Sequence, residues 1–345
     1  MASTVAVYFV ASPLQYLAAR QIAQTHEAGA RQLLVWYQPG VGPIVRPEHW
    51  DATAYMPWPR LSPLPGRFGR HRRLRENIRL VASLVGRCDT LHLHSAVFDT
   101  EAINYFLHAL PRAAGAREMR ARILPDGLIS VRRYPLSPAK RALQRLRWLR
   151  RLAAPELKYT GFSGDRIGSD AAFCDRIYVL PGMPHEYPSA KVVTLQPLAQ
   201  PSAAQPAEDA PRERRALVVG QPLVGAGLLD AQDLPAVSAR LHGWLREQGI
   251  ERIQYKGHPK DPNLELCAPG DEVLSLDEPL ELWLARQRFD AIVGVRSTAL
   301  LFARQLYGPS TEVMAFGWGQ VRFKSAAERR DMERTFKSCG VVIDQ

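Results

Sequence analysis

Residues 5–16 read VAVYFVASPLQY, a run of β-branched and aromatic residues followed by a short polar turn and Pro13. The first six residues are typical of a buried strand, and the apolar spacing through Ala19 and Ile22 predicts a helix after the turn. We expect Ser12 to cap that helix, leaving N–H groups that could face an anion or a sugar hydroxyl. An ordinary structural cap is the alternative interpretation.

The same order of strand and helix recurs along the chain, which predicts an α/β fold with parallel sheets and helices on both faces. Further strands are predicted at residues 32–36, 90–94, 122–124, 174–180, 215–220, 250–255, 289–295 and 311–316, the last of these as the final strand. Further helices are predicted from about Arg72, over 233–248 and 279–286, and through Leu301.

Residues 196–214 contain Gln, Pro, Ala, Ser and Glu with almost no large apolar residue, which is typical of a flexible linker or a long surface loop. We therefore predict an N-terminal domain over 1–195, a linker over 196–214 and a C-terminal domain over 215–345. The division leaves the last helix free to pack back on the N-terminal domain.

The formal net charge of +11 and the pI near 9.7 predict an acidic partner, such as a nucleotide, nucleic acid, anionic glycan or anionic lipid surface. Cys88, Cys174, Cys267 and Cys339 lack the spacing of a zinc site, so we expect free thiols in a reducing compartment. The apolar run at 5–10 is too short to span a bilayer. These features favour the cytoplasm.

Arginine is concentrated in two segments, Arg67–Arg79 and Arg141–Arg151, the second with leucines and Trp148 interleaved. One interpretation is two solvated helix faces, and the other is a patch for an anionic membrane surface or a polyanionic acceptor. Neither segment has a DNA- or RNA-binding signature beyond its charge, so no nucleic-acid partner is expected.

Residues 255–260 read YKGHPK and set an imidazole between two ammonium groups, just after a predicted strand. Such a loop suits an anion, and in open α/β sheets ligands bind at this end of the strands. Asp126 and Gly127 form a turn that projects a carboxylate from a sheet edge, although most turns of this kind are structural. Ser297 and Thr298 lie between a strand and a helix, where hydroxyls and N–H groups can hold phosphate.

Several common sites are excluded, because the sequence has no GxxxxGK[ST], no GxSxG, no HExxH and no GxGxxG after a strand. What remains is Asp126 in one half, with Lys256, His258, Ser297 and Thr298 in the other. We therefore expect any site to lie between the two domains.

Five short motifs occur in order: SPLQ at 12–15, DG at 126–127, GQPL at 220–223, KGHP at 256–259 and ST at 297–298. Their combination resembles the bacterial sialyltransferases, especially the lipooligosaccharide sialyltransferase and polysialyltransferase-like groups. The resemblance implies a GT-B fold, with two Rossmann-like doubly wound parallel-sheet domains facing a cleft. It also implies an inverting transfer of a nonulosonic acid from a CMP donor to a sugar hydroxyl of a bacterial surface glycan, such as lipooligosaccharide or capsule.

The same resemblance assigns roles to individual residues. Asp126 would be the general base, although the family commonly has a further acidic residue where this chain has Pro125. His258 would bind the CMP phosphate and act as general acid or charge-assisted donor. The other donor-binding residues would be Lys256, Pro259, Gln221, Ser297, Thr298 and, by a looser match, Glu281 on the ribose, while Ser12 and Gln15 would contact the acceptor or sugar.

No metal or other cofactor is expected, because no Asp-x-Asp occurs to hold one and the cationic loop can stabilise the leaving phosphate. A second enzyme hypothesis keeps the fold and changes the donor to CMP-Kdo, CMP-legionaminate, CMP-pseudaminate or a UDP-sugar. The non-enzymatic hypothesis is a basic scaffold that binds anionic polysaccharide or nucleic acid. We expect a cytoplasmic protein, peripheral at the inner face of the bacterial inner membrane if the arginine runs contact lipid.

Overall fold

The computed structural model describes residues 3–126, 133–152, 154–196, 198, 213–258, 261–278, 280–284, 286–307 and 310–344. The chain divides into two compact units. The first contains Met1–Leu180 and His185–Leu198, and the second contains Pro181–Pro184 and Ala199–Gln345. Most of the predicted linker at 196–214 lies outside the described residues.

The first unit is built on a parallel sheet of seven strands in the order β3-β2-β1-β4-β5-β6-β7. The strands are β1 Thr4–Val10, β2 Arg31–Trp36, β3 Ala52–Tyr55, β4 Thr90–Ser95, β5 Glu118–Ile123, β6 Cys174–Val179 and β7 Val192–Thr194. The helices are α1 Pro13–Thr25, α2 Gly69–Val85, α3 Glu101–Asn104, α4 Phe106–Ala114 and α5 Pro138–Trp148. Because a parallel sheet is covered on both faces, β1 is a continuous apolar run, and its residues from Val5 to Val10 are buried.

The second unit holds a parallel sheet of six strands in the order β10-β9-β8-β11-β12-β13. The strands are β8 Arg215–Val219, β9 Arg252–Lys256, β10 Glu272–Val273, β11 Ala291–Gly294, β12 Glu312–Ala315 and β13 Val342–Ile343. The helices are α6 Leu234–Glu247, α7 Leu280–Leu284, α8 Thr298–Tyr307 and α9 Ala326–Ser338.

Both strand orders reverse direction after the first strand of the unit, between β1 and β4 and between β8 and β11. This is the doubly wound arrangement, and the predicted pair of Rossmann-like parallel sheets is confirmed. In such sheets the crevice at the reversal, beyond the carboxyl ends of the strands, is the usual ligand site.

The short strands at the edges of the two sheets were not predicted from the sequence. The expectation that residues 311–316 form the final strand is wrong, because β13 pairs with β12 through Met314 and Val342. Strands β3, β7, β10 and β13 lie at sheet edges, are two to four residues long and are at most half-buried, so they are too short to form a recognisable buried run. Helix α2 also begins earlier than predicted, at Gly69.

A buried charged cluster lies on one face of the first sheet. His94 is fully buried and stacks on Tyr8, with 4.3 Å between ring centroids. The Glu27 carboxylate accepts from the His92 ring at 2.9 Å and pairs with the Arg122 guanidinium. Burial lowers the pKa of the His94 imidazole to about 3, and the neighbouring His92 lowers it further.

No helix among the residues that the structure describes is both long enough and apolar enough to cross a bilayer.

Candidate functional site

In the second unit, a side chain joins the two strands at which the sheet reverses direction. Gln221 follows β8 after one glycine, and its side-chain oxygen accepts a hydrogen bond from the backbone N–H of Arg296 at 2.8 Å. Arg296 in turn follows β11 and precedes α8. The bond therefore fixes the turn after β8 against the start of α8, at the expected ligand edge.

Helix α8 begins at this edge with the predicted cap. The Ser297 hydroxyl accepts from the backbone N–H of Ala299 at 3.3 Å, so Ser297 is the N-cap and Thr298 is the first helical residue. Ser297 is half-buried and Thr298 is exposed. The first-turn N–H groups and the positive end of the helix dipole make this terminus suitable for an anion.

The loop that contains His258 leaves the same edge one strand away. Strand β9 pairs with β8 in parallel and ends at Lys256, which lies opposite Val219. The Lys256 ammonium donates to the carbonyl oxygen of Gly257 at 3.2 Å, which holds its charge over the turn. His258 is exposed. Of the rest of the predicted motif, Pro259 and Lys260 lie outside the described residues.

Gly220 is required where these two loops meet. Its N–H donates to the carbonyl oxygen of Lys256 at 2.9 Å. A Cβ at this position would lie 2.3 Å from the Tyr255 hydroxyl oxygen and 3.0 Å from that same carbonyl oxygen. Only glycine lets β8 and β9 approach so closely at their carboxyl ends.

Two carboxylates connect these loops through the hydrogen bonds that they accept. The Tyr255 hydroxyl donates to the buried Asp261 carboxylate at 3.1 Å, and that carboxylate also accepts from the backbone N–H of Glu265. The Glu265 carboxylate accepts from the N–H groups of Val224 and Gly225 at 2.7 and 3.1 Å. The loop after His258 is thus tied to the loop after Gln221.

In the first unit, one carboxamide links the turn after β1 to Asp126. The Ser12 hydroxyl accepts from the backbone N–H of Gln15 at 3.3 Å, which confirms Ser12 as the N-cap of α1. The side-chain oxygen of Gln15 accepts from the N–H of Ala11 at 2.7 Å, while its amide group bonds the Asp126 carboxylate. Gln15 therefore orients Asp126 with a side chain that is itself fixed.

The surroundings of Asp126 suit a proton acceptor. Burial raises the pKa of its carboxyl above the ordinary value, and the bond from Gln15 opposes that rise. Burial also raises the pKa of Tyr37, and the charge of Asp126 raises it further, so the Tyr37 hydroxyl keeps its proton. Tyr37 stacks on Trp58 with 4.6 Å between ring centroids, which supplies an aromatic surface near the carboxylate.

Sequence reasoning missed Tyr37, Asp261 and Glu265. Tyr37 directly follows β2, so its place at the carboxyl end of a strand was a usable signal. Asp261 and Glu265 lie in a loop without periodicity, where no pattern of residues indicates the hydrogen bonds that they accept.

The predicted site residues fall into two groups. Ser12, Gln15 and Asp126 lie in the first unit, and Gln221, Lys256, His258, Ser297 and Thr298 lie in the second. Glu281 is in α7, but its side chain is outside the described residues, as is Gly127. Within the described part of the chain, no group of three or more His, Cys, Asp or Glu side chains is placed to hold a metal ion.

Residues 186–315 match the family model of the alpha-2,8-polysialyltransferases. The matched segment includes the loops of Gln221 and His258 and the cap at Ser297. Asp126 lies outside it.

Among solved structures, the fold is similar to that of the kitacinnamycin glycotransferase, with a TM-score of 0.53 and 13% identity over 100% of this chain and 86% of the other. It is also similar to CalG4, the calicheamicin glycosyltransferase, with a TM-score of 0.51 and 11% identity over 99% and 85% of the two chains. At these identities the likeness concerns the fold alone. No curated protein matches the chain in sequence. The similar solved structures confirm the predicted GT-B fold. The family match confirms the predicted resemblance to the sialyltransferase and polysialyltransferase-like families, and with it the prediction of a glycosyltransferase.

Proposed function

We propose that the chain is an inverting, metal-independent glycosyltransferase that moves a nonulosonic acid from a CMP donor to a hydroxyl of a bacterial surface glycan. The observation that carries the proposal is the edge of the second sheet, where the Ser297-capped helix, Gln221, Lys256 and His258 all lie at or just after the carboxyl ends of neighbouring strands. The family match covers this edge. The order of the sequence motifs supplies the donor class.

On the donor side, the leaving group is CMP, whose phosphate gains negative charge as the bond to the sugar breaks. Lys256 places an ammonium at this edge and His258 an imidazole that can donate a hydrogen bond, and the N-terminus of α8 adds its dipole and its N–H groups. Groups that meet charge as it develops stabilise the transition state more than the ground state. In the proposal His258 donates a hydrogen bond or its proton to the departing phosphate oxygen.

On the acceptor side, Asp126 takes the proton of the acceptor hydroxyl. The hydroxyl oxygen then forms the new bond to the anomeric carbon, while the bond from that carbon to the phosphate oxygen breaks on the opposite face and inverts the centre. A raised pKa improves a carboxylate as a base, provided that it stays ionised at the working pH. General base catalysis of this kind contributes roughly 10²- to 10⁴-fold.

Titration calorimetry with CMP and UDP in EDTA tests the donor half. We expect CMP to bind more tightly than UDP, and His258→Ala to weaken CMP binding by at least about tenfold, since a charge-assisted hydrogen bond contributes roughly 1.5–3 kcal/mol. The matched control is His49→Ala, an exposed histidine of the first unit. Tighter binding of UDP would contradict the CMP donor and support a UDP-sugar donor. If neither nucleotide bound, the result would support the non-enzymatic scaffold hypothesis.

The acceptor in this proposal is a lipooligosaccharide or capsule precursor, made at the inner face of the bacterial inner membrane. The scaffold alternative predicts that Asp126→Ala and His258→Ala leave glycan binding intact. The transferase predicts lost turnover with the fold retained, so thermal melts of both variants must accompany the assay.

A further inference from the structure

Helix α5 and the turn that follows it present leucine to solvent. Leu143, Leu146, Leu149 and Leu152 are 43%, 62%, 50% and 77% exposed. Residues three apart are neighbours on an α-helix, and in the 3₁₀ turn at Leu149–Leu152 they are eclipsed. The four side chains therefore form one continuous apolar strip, here called the leucine ridge.

Cationic side chains flank the leucine ridge. Arg141 and Arg145 are exposed on α5, and Lys140 and Arg147 lie on the same helix. A helix face that contacts only solvent usually carries polar residues, whereas α5 and the turn after it expose four leucines. The structure therefore disfavours the interpretation of α5 as an ordinary solvated face.

The two arginine runs of the sequence meet at one buried carboxylate. Glu101 pairs with Arg70 of α2 at 3.1 Å, with Arg147 of α5 at 3.9 Å, and with Arg150. Phe68, which precedes α2, is 75% exposed. The start of α2 and the end of α5 thus form one surface that is both basic and apolar.

A cavity of about 390 Å³ opens beside the ridge, and Leu143 is part of its lining. Two carboxylates line it, Asp99 and Glu101, against five cationic side chains. These are Arg60, Arg70, Lys140, Arg147 and Arg166. The excess of cations gives the surface next to the leucines a positive potential.

We propose that the first unit docks on a bilayer rich in anionic lipid through the leucine ridge. An amphipathic helix with leucines on one side and arginines beside them lies in the plane of the interface, with its apolar side at the boundary of headgroups and acyl chains. The arginines around the ridge and the cavity then face the anionic headgroups. Charge complementarity favours an anionic bilayer as the partner, because the surface around the leucine ridge is basic. A zwitterionic bilayer or a protein partner needs no such excess of cations.

Vesicle binding measures the docking directly and does not depend on the transfer reaction. In sedimentation with vesicles of phosphatidylglycerol and phosphatidylcholine at 0.1 M salt, we expect the wild-type chain to bind, and pure phosphatidylcholine to retain little of it. Leu146→Ser with Leu152→Ser should lower the partition coefficient by at least about tenfold, because two large apolar side chains no longer enter the interface. Val273→Ser, at an exposed valine of the second unit, should change nothing.

The contribution of the arginine charges to vesicle binding is measured with two matched double variants. Arg141→Gln with Arg145→Gln should lower binding by about tenfold or more at 0.1 M salt and have little effect at 0.5 M salt, where the attraction is screened. Arg330→Gln with Arg334→Gln removes the same charge at the same spacing from exposed positions on α9 and should bind like wild type.

Three results would overturn the proposal. One is equal binding to neutral and anionic vesicles, and another is binding that neither double variant weakens. The third is a leucine variant that leaves vesicle binding intact but abolishes a dimer in analytical ultracentrifugation, which would show that the ridge packs against a second copy. All substituted side chains are exposed, so unchanged thermal melts are expected and verify the fold.

Discussion

The side-chain oxygen of Gln221 and the backbone N–H of Arg296, 75 positions apart in sequence, are joined by a hydrogen bond of 2.8 Å. The bond connects the end of β8 to the residue just before the Ser297 cap. Gln221 thereby acts as a positioning residue in our proposal, since it fixes where the N-terminus of α8 points.

Replacing Gln221 therefore tests the donor edge. Gln221→Ala removes the acceptor, and we expect CMP affinity to fall about five- to tenfold, in line with roughly 1 kcal/mol for one hydrogen bond. Gln221→Glu keeps an acceptor but brings a negative charge towards the phosphate, so it should weaken CMP binding further. Equal affinity of the two variants for CMP would count against a phosphate at this edge.

The bond between Gln15 and Asp126 makes a prediction about pH. The general base works as the carboxylate, so kcat/KM should fall as the pH drops through the pKa of Asp126, which burial holds above its ordinary value. Gln15→Leu removes the bond that lowers this pKa, so the acid limb of the pH profile should move to higher pH. Gln24→Leu, an exposed position on α1, is the control and should leave the limb in place. A limb that moves to lower pH, or stays put in Gln15→Leu, would contradict the assigned base.

Gly220→Ala should damage the second unit. The added Cβ would lie 2.3 Å from the Tyr255 hydroxyl oxygen, so the ends of β8 and β9 must shift, at a cost of about 1–3 kcal/mol for overpacking. Thermal unfolding should occur at lower temperature, with CMP affinity reduced because the loop of His258 moves. Gly29→Ala, which has no atom within 4 Å of the added Cβ, is the matched control. A normal melting temperature in Gly220→Ala would refute the close approach.

The buried histidine predicts how stability depends on pH. His94 has a pKa of about 3 in the folded chain and about 6.5 when unfolded, so the unfolded state binds more protons between these values. The free energy of unfolding should therefore decrease as the pH falls from 6.5 towards 3, by at most about 1.4 kcal/mol per pH unit from this residue. His94→Phe keeps a ring against Tyr8 and should flatten the dependence, measured by urea unfolding at several pH values. His49→Phe is the control and should retain the wild-type dependence of the free energy of unfolding on pH. If His94→Phe also retained it, the buried histidine would not be its cause.

Much of the fold followed from the sequence because the central strands are covered on both faces. Runs such as residues 5–10 and 216–219 are continuously apolar, and each is followed by a connecting segment and a helix. The edge strands β3, β7 and β13 lack this pattern, since they are short and partly exposed. Their pairing depends on neighbours distant in sequence.

The candidate site was predictable in part. Ser12 and Ser297 could be recognised as caps because a serine after a strand and before a helix has one common role. The bonds that orient Asp126 and Gln221 could not be predicted, because each joins side chains and backbone groups from separate loops. The leucine ridge was visible as spacing, but only the structure shows that the leucines face solvent.

The central claim is transfer from a CMP-nonulosonate without a metal, with Asp126 as base and His258 at the phosphate. Its most direct measurement is CMP release from CMP-sialic acid and related CMP-nonulosonates in EDTA, with a panel of glycan acceptors. We predict turnover by the wild-type chain, a loss of roughly 10²- to 10⁴-fold in Asp126→Asn with CMP affinity unchanged, and loss of both turnover and CMP affinity in His258→Ala. Neither turnover nor binding of any CMP-nonulosonate, or full activity in both variants, would contradict the account.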